Sequence, residues 1–320
     1  LAGGGAVWAE AGGLLLGVAG RAGGPVATTQ QGKGIVDERH PLALGHARSM
    51  KGRAAVPHAD AMLALGCRFT EVMTGFRKMA PPPRLIQVDI NPGEIAMNYP
   101  VEIGIAADAR ATLAAILAAL PARTAGDWSK HWPEIRAARR ERPERLIGVL
   151  RDALPDDAIV FTDASELAYR MHTDYPAYRP RTFFYPSNYI ALGWGFPAAL
   201  GAACGLQVEA EAAGTTPPAV VSFSGDGGFL MTCQELATAA RYRPRLVILV
   251  HNDNAYGAIR HLQRLQYGGR YLDTDLNNPD LLARASAFQV PACRAADADA
   301  LAKALREAIA RVVPGYEASA

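Results

Sequence analysis

Short unbroken apolar runs recur along the chain, each closed by glycine, proline or a polar turn. Between them lie stretches whose apolar residues return every third or fourth position, the spacing of one helical face. LAGGG reads as the end of a strand, WAEAGGLLLGVAGRAG as a helix and PVATT as a strand. QQGKGIVDERHPLALG then reads as a loop, and ADAMLALG as a helix whose LALG end turns into strand. RLIQVDI is a buried strand stopped by Asn91-Pro92, and ARATLAAILAALPAR an amphipathic helix. After a charged, proline-punctuated stretch, TAGDWSKHWPEIRAARRERPER, the alternation resumes. LIGVLRDAL is a helix, AIVFTDAS a strand ending in an acid, and GWGFPAALGAACG a small-residue helix. EAEAAGTTPP reads as a surface loop, AVVSFSGDGG as a strand and turn, FLMTCQELATAARY as one helix, and RLVILVHND as a strand and turn. DLLARASAF and DALAKALREAIARVV close the chain as helices.

Repeated β-α alternation predicts an α/β protein of two doubly wound parallel-sheet, Rossmann-like domains. The boundaries expected are 1–123 for the first domain, 124–145 for a linker carrying one solvated helix, and 146–320 for the second. The length of 320 residues is enough for two buried cores. A net charge of +2 leaves no basic surface of the kind that binds nucleic acid or an anionic membrane. Cys67, Cys204, Cys233 and Cys293 lie far apart without metal-type spacing, which suggests buried thiols and a reducing, cytoplasmic setting. The apolar opening has no basic leader, and Glu10 and its glycines interrupt it, so it reads neither as a signal nor as a membrane anchor. Starting at Leu1 inside a strand, the chain reads as a fragment or processed product.

Candidate chemistry gathers at two strand ends. In an open parallel sheet, ligands bind beyond the carboxyl ends of the strands. AVVSFSGDGG places Asp226 between Gly225 and Gly227, where the backbone can turn sharply and approach a ligand. Gly228 opens a helix whose first amides suit an anion such as phosphate. RLVILVHNDN ends on Asn252, Asp253 and Asn254. One carboxylate from each turn, a carbonyl oxygen and diphosphate oxygens would complete an octahedral magnesium shell. Either motif alone would read as a plain turn; a helix and a strand apart, the pair points to a shared ion.

Gly225-Asp226-Gly227 followed by Asn252-Asp253 resembles the thiamine diphosphate motif. QELATAARY and HNDNAYGAI are similar to the acetolactate synthase-like decarboxylases and carboligases, as are VATTQQGKGIV, HPLALG, ADAMLALGCRF and RLIQVDINPGEIAMNYPV in that group's central domain. The resemblance implies that residues 1–123 are a central domain truncated at its start and 146–320 a thiamine diphosphate-binding domain. It implies Asp226, Asp253 and the carbonyl of Ala255 as magnesium ligands, with Asp253 standing where many relatives carry Asn. Gly225, Gly227, Gly228, Ser165, Tyr256 and Gly257 would line the cofactor, with the Gly227 and Gly228 amides on its diphosphate. Leu192 would wedge between the cofactor's two rings, unless it is an ordinary core leucine, and the Ile190 carbonyl would accept from the 4′-amino group.

TDASELAYR departs from the pattern: Ser165 and Glu166 stand where many relatives carry a Gly-Gln-His-Gln run that touches the diphosphate. Relatives also begin with a pyrimidine-binding domain whose glutamate activates the cofactor, so no catalytic residue is expected within this chain. The implied activity is thiamine diphosphate- and magnesium-dependent decarboxylation or carboligation of a 2-oxo acid, as a lyase or transferase. This chain would supply the diphosphate half of the site within a homo-oligomer, dimer or tetramer, or with a pyrimidine-domain partner. Tyr189, Trp194, Tyr256 and Gln263 are near-site candidates that can equally be packing residues. The alternatives are a catalytically silent cofactor-binding fragment or subunit, or a flavin- or nicotinamide-binding oxidoreductase, which LAGGGAVWAEAG supports only weakly. FAD is an open accessory of the central domain, not an expectation.

Overall fold

Among the described residues, nine strands pair and every pairing is parallel. The computed structural model describes residues 1–121, 128–138 and 145–312. Parts of the expected linker, 124–127 and 139–144, and the closing 313–320 lie outside them. The chain divides into two units, Leu1–Pro143 with His172–Thr182 and Glu144–Met171 with Phe183–Ala320.

In the first unit the strands are β1 (Val26–Thr28), β2 (Ala43–His46), β3 (Ala61–Leu65), β4 (Arg84–Asp89) and β5 (Ile103–Ala106). Ala2 bridges Thr28 on one side and Leu65 on the other. Its N–H donates to Ala27 at 2.9 Å, and that of Gly3 to Leu65 at 2.9 Å. The opening residues thereby join β2-β1 to β3-β4-β5 as one parallel array; the expected strand end holds for Leu1–Gly3, while Gly4 and Gly5 already belong to the first helix. Helices Gly12–Ala22 and Ala109–Ala119 pack on one another, and their Leu15, Val18 and Leu113 bury with Leu65 and Val88 in one core.

Four expectations fail in this unit. The opening helix is two, Gly4–Trp8 and Gly12–Ala22, broken at Glu10, whose φ is 52°. HPLALG forms β2 rather than loop, and ADAMLALG is strand from Ala61 onward, the helix having ended at Ala55. Runs of four or five apolar residues carry too little periodicity to separate strand from helix, and pairing to β1 and β4 decides them. The linker helix, Trp132–Ala137, is not merely solvated, because Ile135 is fully buried against Leu44 and Ala55.

The second unit is a four-stranded sheet in the order β7-β6-β8-β9, with β6 at Ile159–Thr162, β7 at Phe183–Phe184, β8 at Val220–Gly225 and β9 at Leu246–His251. All of Val220–Ser224 is buried, as a central strand covered on both faces requires. Helix Gly195–Ala213 packs on β6 and β8. Helix Ala298–Val312 packs on Arg145–Ala153 and buries Leu305 and Ile309, each contributing about 1.5–3 kcal/mol.

Here too the pattern misleads locally. EAEAAG is not loop: its Glu and Ala residues extend the helix to Ala213, and Gly214 ends it in the left-handed region at φ 65°. The FLMTCQELATAARY helix is really two, Asp226–Thr232 and Leu236–Tyr242, with a 3-10 turn between. Phe183–Phe184, too short to register as an element, pairs with β6. Among the described residues no helix is long and apolar enough to cross a membrane. All four cysteines are free; Cys67 and Cys233 are buried as expected, Cys204 is half-buried, and Cys293 is exposed.

Candidate functional site

The carboxyl ends of β6, β8 and β9 lie side by side in the second unit. Gly225, the last residue of β8, is in register with His251, the last of β9, so the turns that follow emerge together. Asp226 begins the helix after β8 and is 1% exposed. Its Oδ1 accepts from the Gly227 N–H at 3.0 Å, and its Oδ2 from Asn278 Nδ2 at 2.5 Å. The same Asn278 nitrogen donates to Asn252 Oδ1 at 2.8 Å and Asn254 Oδ1 at 3.2 Å. One amide therefore ties the acid after β8 to the turn after β9.

Asp253 sits within that turn. Burial, and next the nearby charge of Asp226, raise its carboxyl above the usual range. Asn254 adopts φ 54°, and its carbonyl accepts from the Leu276 N–H at 2.8 Å, while the Tyr256 N–H donates to Thr274 at 2.8 Å. These bonds hold Ala255 between them, 5% exposed and bridged to Asp275. Among the described residues no three His, Cys, Asp or Glu side chains form a metal cluster. The oxygens gathered here, from carboxylates and side-chain amides, suit a hard cation such as magnesium rather than zinc.

The glycines are shaped by their neighbours. A Cβ on Gly227 would lie 2.6 Å from the Tyr256 ring, and one on Gly228 would lie 2.8 Å from Asp163 Oδ2. Gly257 faces Asp253, whose Oδ2 would be 2.5 Å from a Cβ there. Ser165 caps the helix Glu166–Asp174, its Oγ accepting from the Ala168 N–H at 3.3 Å, and a Cβ on Gly225 would lie 3.1 Å from its own Cβ. Glu166 Oε1 faces Arg170 and His261, each at 3.3 Å.

Ile190 holds φ 55°, a left-handed conformation unusual for a β-branched residue, with its N–H donating to Pro186 at 2.9 Å. Leu192, half-buried, precedes Gly193 in the same segment. Among the near-site candidates, Tyr189 is 93% exposed, and Trp194 packs against Phe161 with ring centroids 5.8 Å apart. Gln263 is engaged on both sides of its amide by the Leu272 backbone, at 3.0 Å each way. Trp194 and Gln263 therefore serve as packing and bracing residues.

Two polar residues escaped the sequence reading. Asn278 lies ahead of Pro279 in a loop, and Asp163 was read only as the acid that ends a strand. Asp163 is fully buried, and its carboxylate accepts N–H groups from Ala164 at 2.7 Å and from Gly193 at 2.9 and 3.1 Å. The only available signal was the acid in TDAS at a strand's carboxyl end.

The architecture and this site define a class: a parallel α/β protein whose polar turns gather at adjacent strand ends, where open parallel sheets take their ligands. Residues 163–316 match the family described as thiamine pyrophosphate enzyme, C-terminal TPP binding domain, and residues 1–116 match its central domain. The probable acetolactate synthase large subunit of Methanocaldococcus jannaschii is 34% identical over 332 residues, covering 97% of this chain and 55% of its own length. The acetolactate synthase isozyme 2 large subunit of Escherichia coli is 30% identical over 280 residues, covering 83% and 49%. The probable 2-ketoarginine decarboxylase of Pseudomonas aeruginosa is 34% identical over 271 residues, covering 81% and 46%. The chain belongs to the thiamine pyrophosphate enzymes, in their acetolactate synthase-like group. It spans about half the length of these curated relatives.

Proposed function

We propose that this chain supplies the diphosphate- and magnesium-binding half of a thiamine diphosphate site in an enzyme that decarboxylates a 2-oxo acid, carboligates it to a second carbonyl, or both. The carrying observation is that Asp226 and the turn containing Asp253 follow strand ends in register and are tied together by Asn278. The side chains of Asp226 and Asp253 and the carbonyl of Ala255 hold magnesium. The first-turn amides of Gly227 and Gly228 would hold the diphosphate, and the absence of their Cβ atoms lets the Tyr256 ring and Asp163 pack close beside them. Gly225, Gly257 and the Ser165 hydroxyl complete its edge. The strained Ile190 backbone would present its carbonyl to the aminopyrimidine, and Leu192 would pack between the cofactor's rings.

Bound thiamine diphosphate supplies the electron sink that loss of carbon dioxide from a 2-oxo acid requires. The protein's part is to neutralise the diphosphate with a cation, exclude water around Asp226, and hold the two ends of the cofactor apart at a set distance. The proton relay to the aminopyrimidine would come from a glutamate on a pyrimidine-binding domain, which the relatives carry in addition to the two domains matched here. Residues 1–123 act as the central domain, 124–145 as the linker and 146–320 as the cofactor-binding domain. The family matches over residues 1–116 and 163–316 and the acidic pair favour this over a nicotinamide or flavin oxidoreductase.

The test is turnover of a panel of 2-oxo acids with magnesium and thiamine diphosphate, with and without a supplied pyrimidine-binding domain. Carbon dioxide release that depends on the added domain is the expected result. No release from any 2-oxo acid, despite a folded pair of proteins that binds the cofactor, would leave only the cofactor-binding role.

A further inference from the structure

Asp163 is a buried carboxylate with no place in the cofactor or metal set. It follows β6, and its own N–H continues the sheet by donating to Phe223 at 2.9 Å. Its Oδ1 accepts from Ala164 at 2.7 Å, and both its oxygens accept from the Gly193 N–H, at 3.1 and 2.9 Å. Burial pushes its carboxyl above the usual range while these donors pull it back.

Two glycines make room for this side chain, and a third gives the segment it holds a tight turn. A Cβ on Gly195 would lie 2.9 Å from the Cβ of Asp163, and one on Gly228 would lie 2.8 Å from its Oδ2. Gly193 has φ 85°, and a Cβ there would meet the Gly228 carbonyl at 3.3 Å. The Gly193 carbonyl in turn accepts from Thr232 Oγ1 at 3.2 Å, at the far end of the helix that Asp226 begins. The two peptides flanking Gly193 are therefore clamped, one by Asp163 and the other by Thr232. Leu192 is the residue immediately before the clamp.

We propose that Asp163 is a positioning residue that fixes the distance between Leu192 and the glycine cradle, so that the site selects the whole bent cofactor over its pyrophosphate tail alone. This rests on the reading of the site given above. A carboxylate suits the task where an amide does not. All four lone-pair positions of Asp163 can accept, whereas Asn at 163 would turn an NH2 group toward the N–H of Gly193 or Ala164. Loss of the clamp frees the 190–193 segment to move against the cradle, while the isosteric side chain of Asp163→Asn still fills the space beside Gly228.

The experiment compares calorimetric affinities for magnesium–thiamine diphosphate and magnesium–pyrophosphate in the full chain and its variants. Asp163→Asn is expected to weaken thiamine diphosphate by about tenfold or more while pyrophosphate changes by no more than about twofold. Thr232→Val, a milder loss on the same clamp, is expected to shift the same ratio by about two- to fivefold. Circular dichroism and a thermal melt establish that each variant is folded, and if Asp163→Asn does not fold, Thr232→Val carries the test. An unchanged ratio in the folded variants, or an equal loss of both ligands, overturns the proposal while leaving the site reading intact. A wild-type chain that binds neither ligand refutes the site reading and this inference together.

Discussion

Replacing Asp226 by Ala separates what this carboxylate does for the fold from what it does for a cation. The side chain is buried and makes two hydrogen bonds, to the Gly227 N–H and to Asn278 Nδ2. When it is removed, Asn278 still reaches Asn252 at 2.8 Å and Asn254 at 3.2 Å, so that donor is not stranded. The lost bonds cost about 1–2 kcal/mol. Relief of the repulsion with Asp253 offsets part of this, and the melting temperature is expected to move by only a few degrees. The ion loses far more. Two unit charges about 4 Å apart interact by about 4 kcal/mol at an effective dielectric of 20, and a divalent ion doubles the charge on one side. Water filling the lost position recovers part of that, which leaves about 2–4 kcal/mol, or a loss of about 30- to 1000-fold in magnesium-dependent affinity for thiamine diphosphate. Titration calorimetry with and without magnesium measures it directly. A folded Asp226→Ala protein with wild-type, magnesium-dependent affinity would refute the shared-cation reading.

Gly227→Ala places a methyl group 2.6 Å from the Tyr256 ring and 3.2 Å from Leu276, so the ring must move. We expect a loss of about 1–3 kcal/mol in denaturant unfolding together with weakened cofactor binding; a variant with neither effect would show that the cradle tolerates a side chain. In the first unit, burial, and next the charges of Lys33 and Arg48, hold the buried His172 down at about 3, against an ordinary 6.5. Because its folded value is depressed, the stability linked to its neutral form is complete above about pH 6.5 and is lost as pH falls toward 3. The loss approaches about 1.4 kcal/mol per pH unit and about 4–5 kcal/mol over the window. Urea unfolding from pH 7 to 4.5 should show this slope, and His172→Gln should reduce it by about one proton; an unaltered slope would show that another group carries it.

Much of the site was legible because its chemistry is local in sequence. The Gly225-Asp226-Gly227 turn and the Asn252-Asp253-Asn254 stop each lie on contiguous residues after an apolar strand. The residues that brace them do not. Asn278 reaches Asp226 across 52 positions, and Gly193 reaches Asp163 across 30. Neither a loop asparagine before a proline nor an acid closing a strand carries a periodic or motif signal of its own. The glycine at 228 was read as a helix opener, and only the coordinates show that Asp163 occupies the space a side chain there would need.

By itself the sequence determined the class of fold and the order of most elements, because alternating buried strands and amphipathic helices impose their periods on any chain that forms them. It also placed the two acids at strand ends. Tertiary structure decided which short apolar runs became strands, since β2 and β3 exist through pairing with β1 and β4 rather than through any pattern four residues could carry. It also decided that Ile135, in an apparently solvated linker, closes a core with Leu44 and Ala55. And it decided which buried polar atoms meet, because a carboxylate out of water must find donors wherever the fold brings them, however far along the chain they lie.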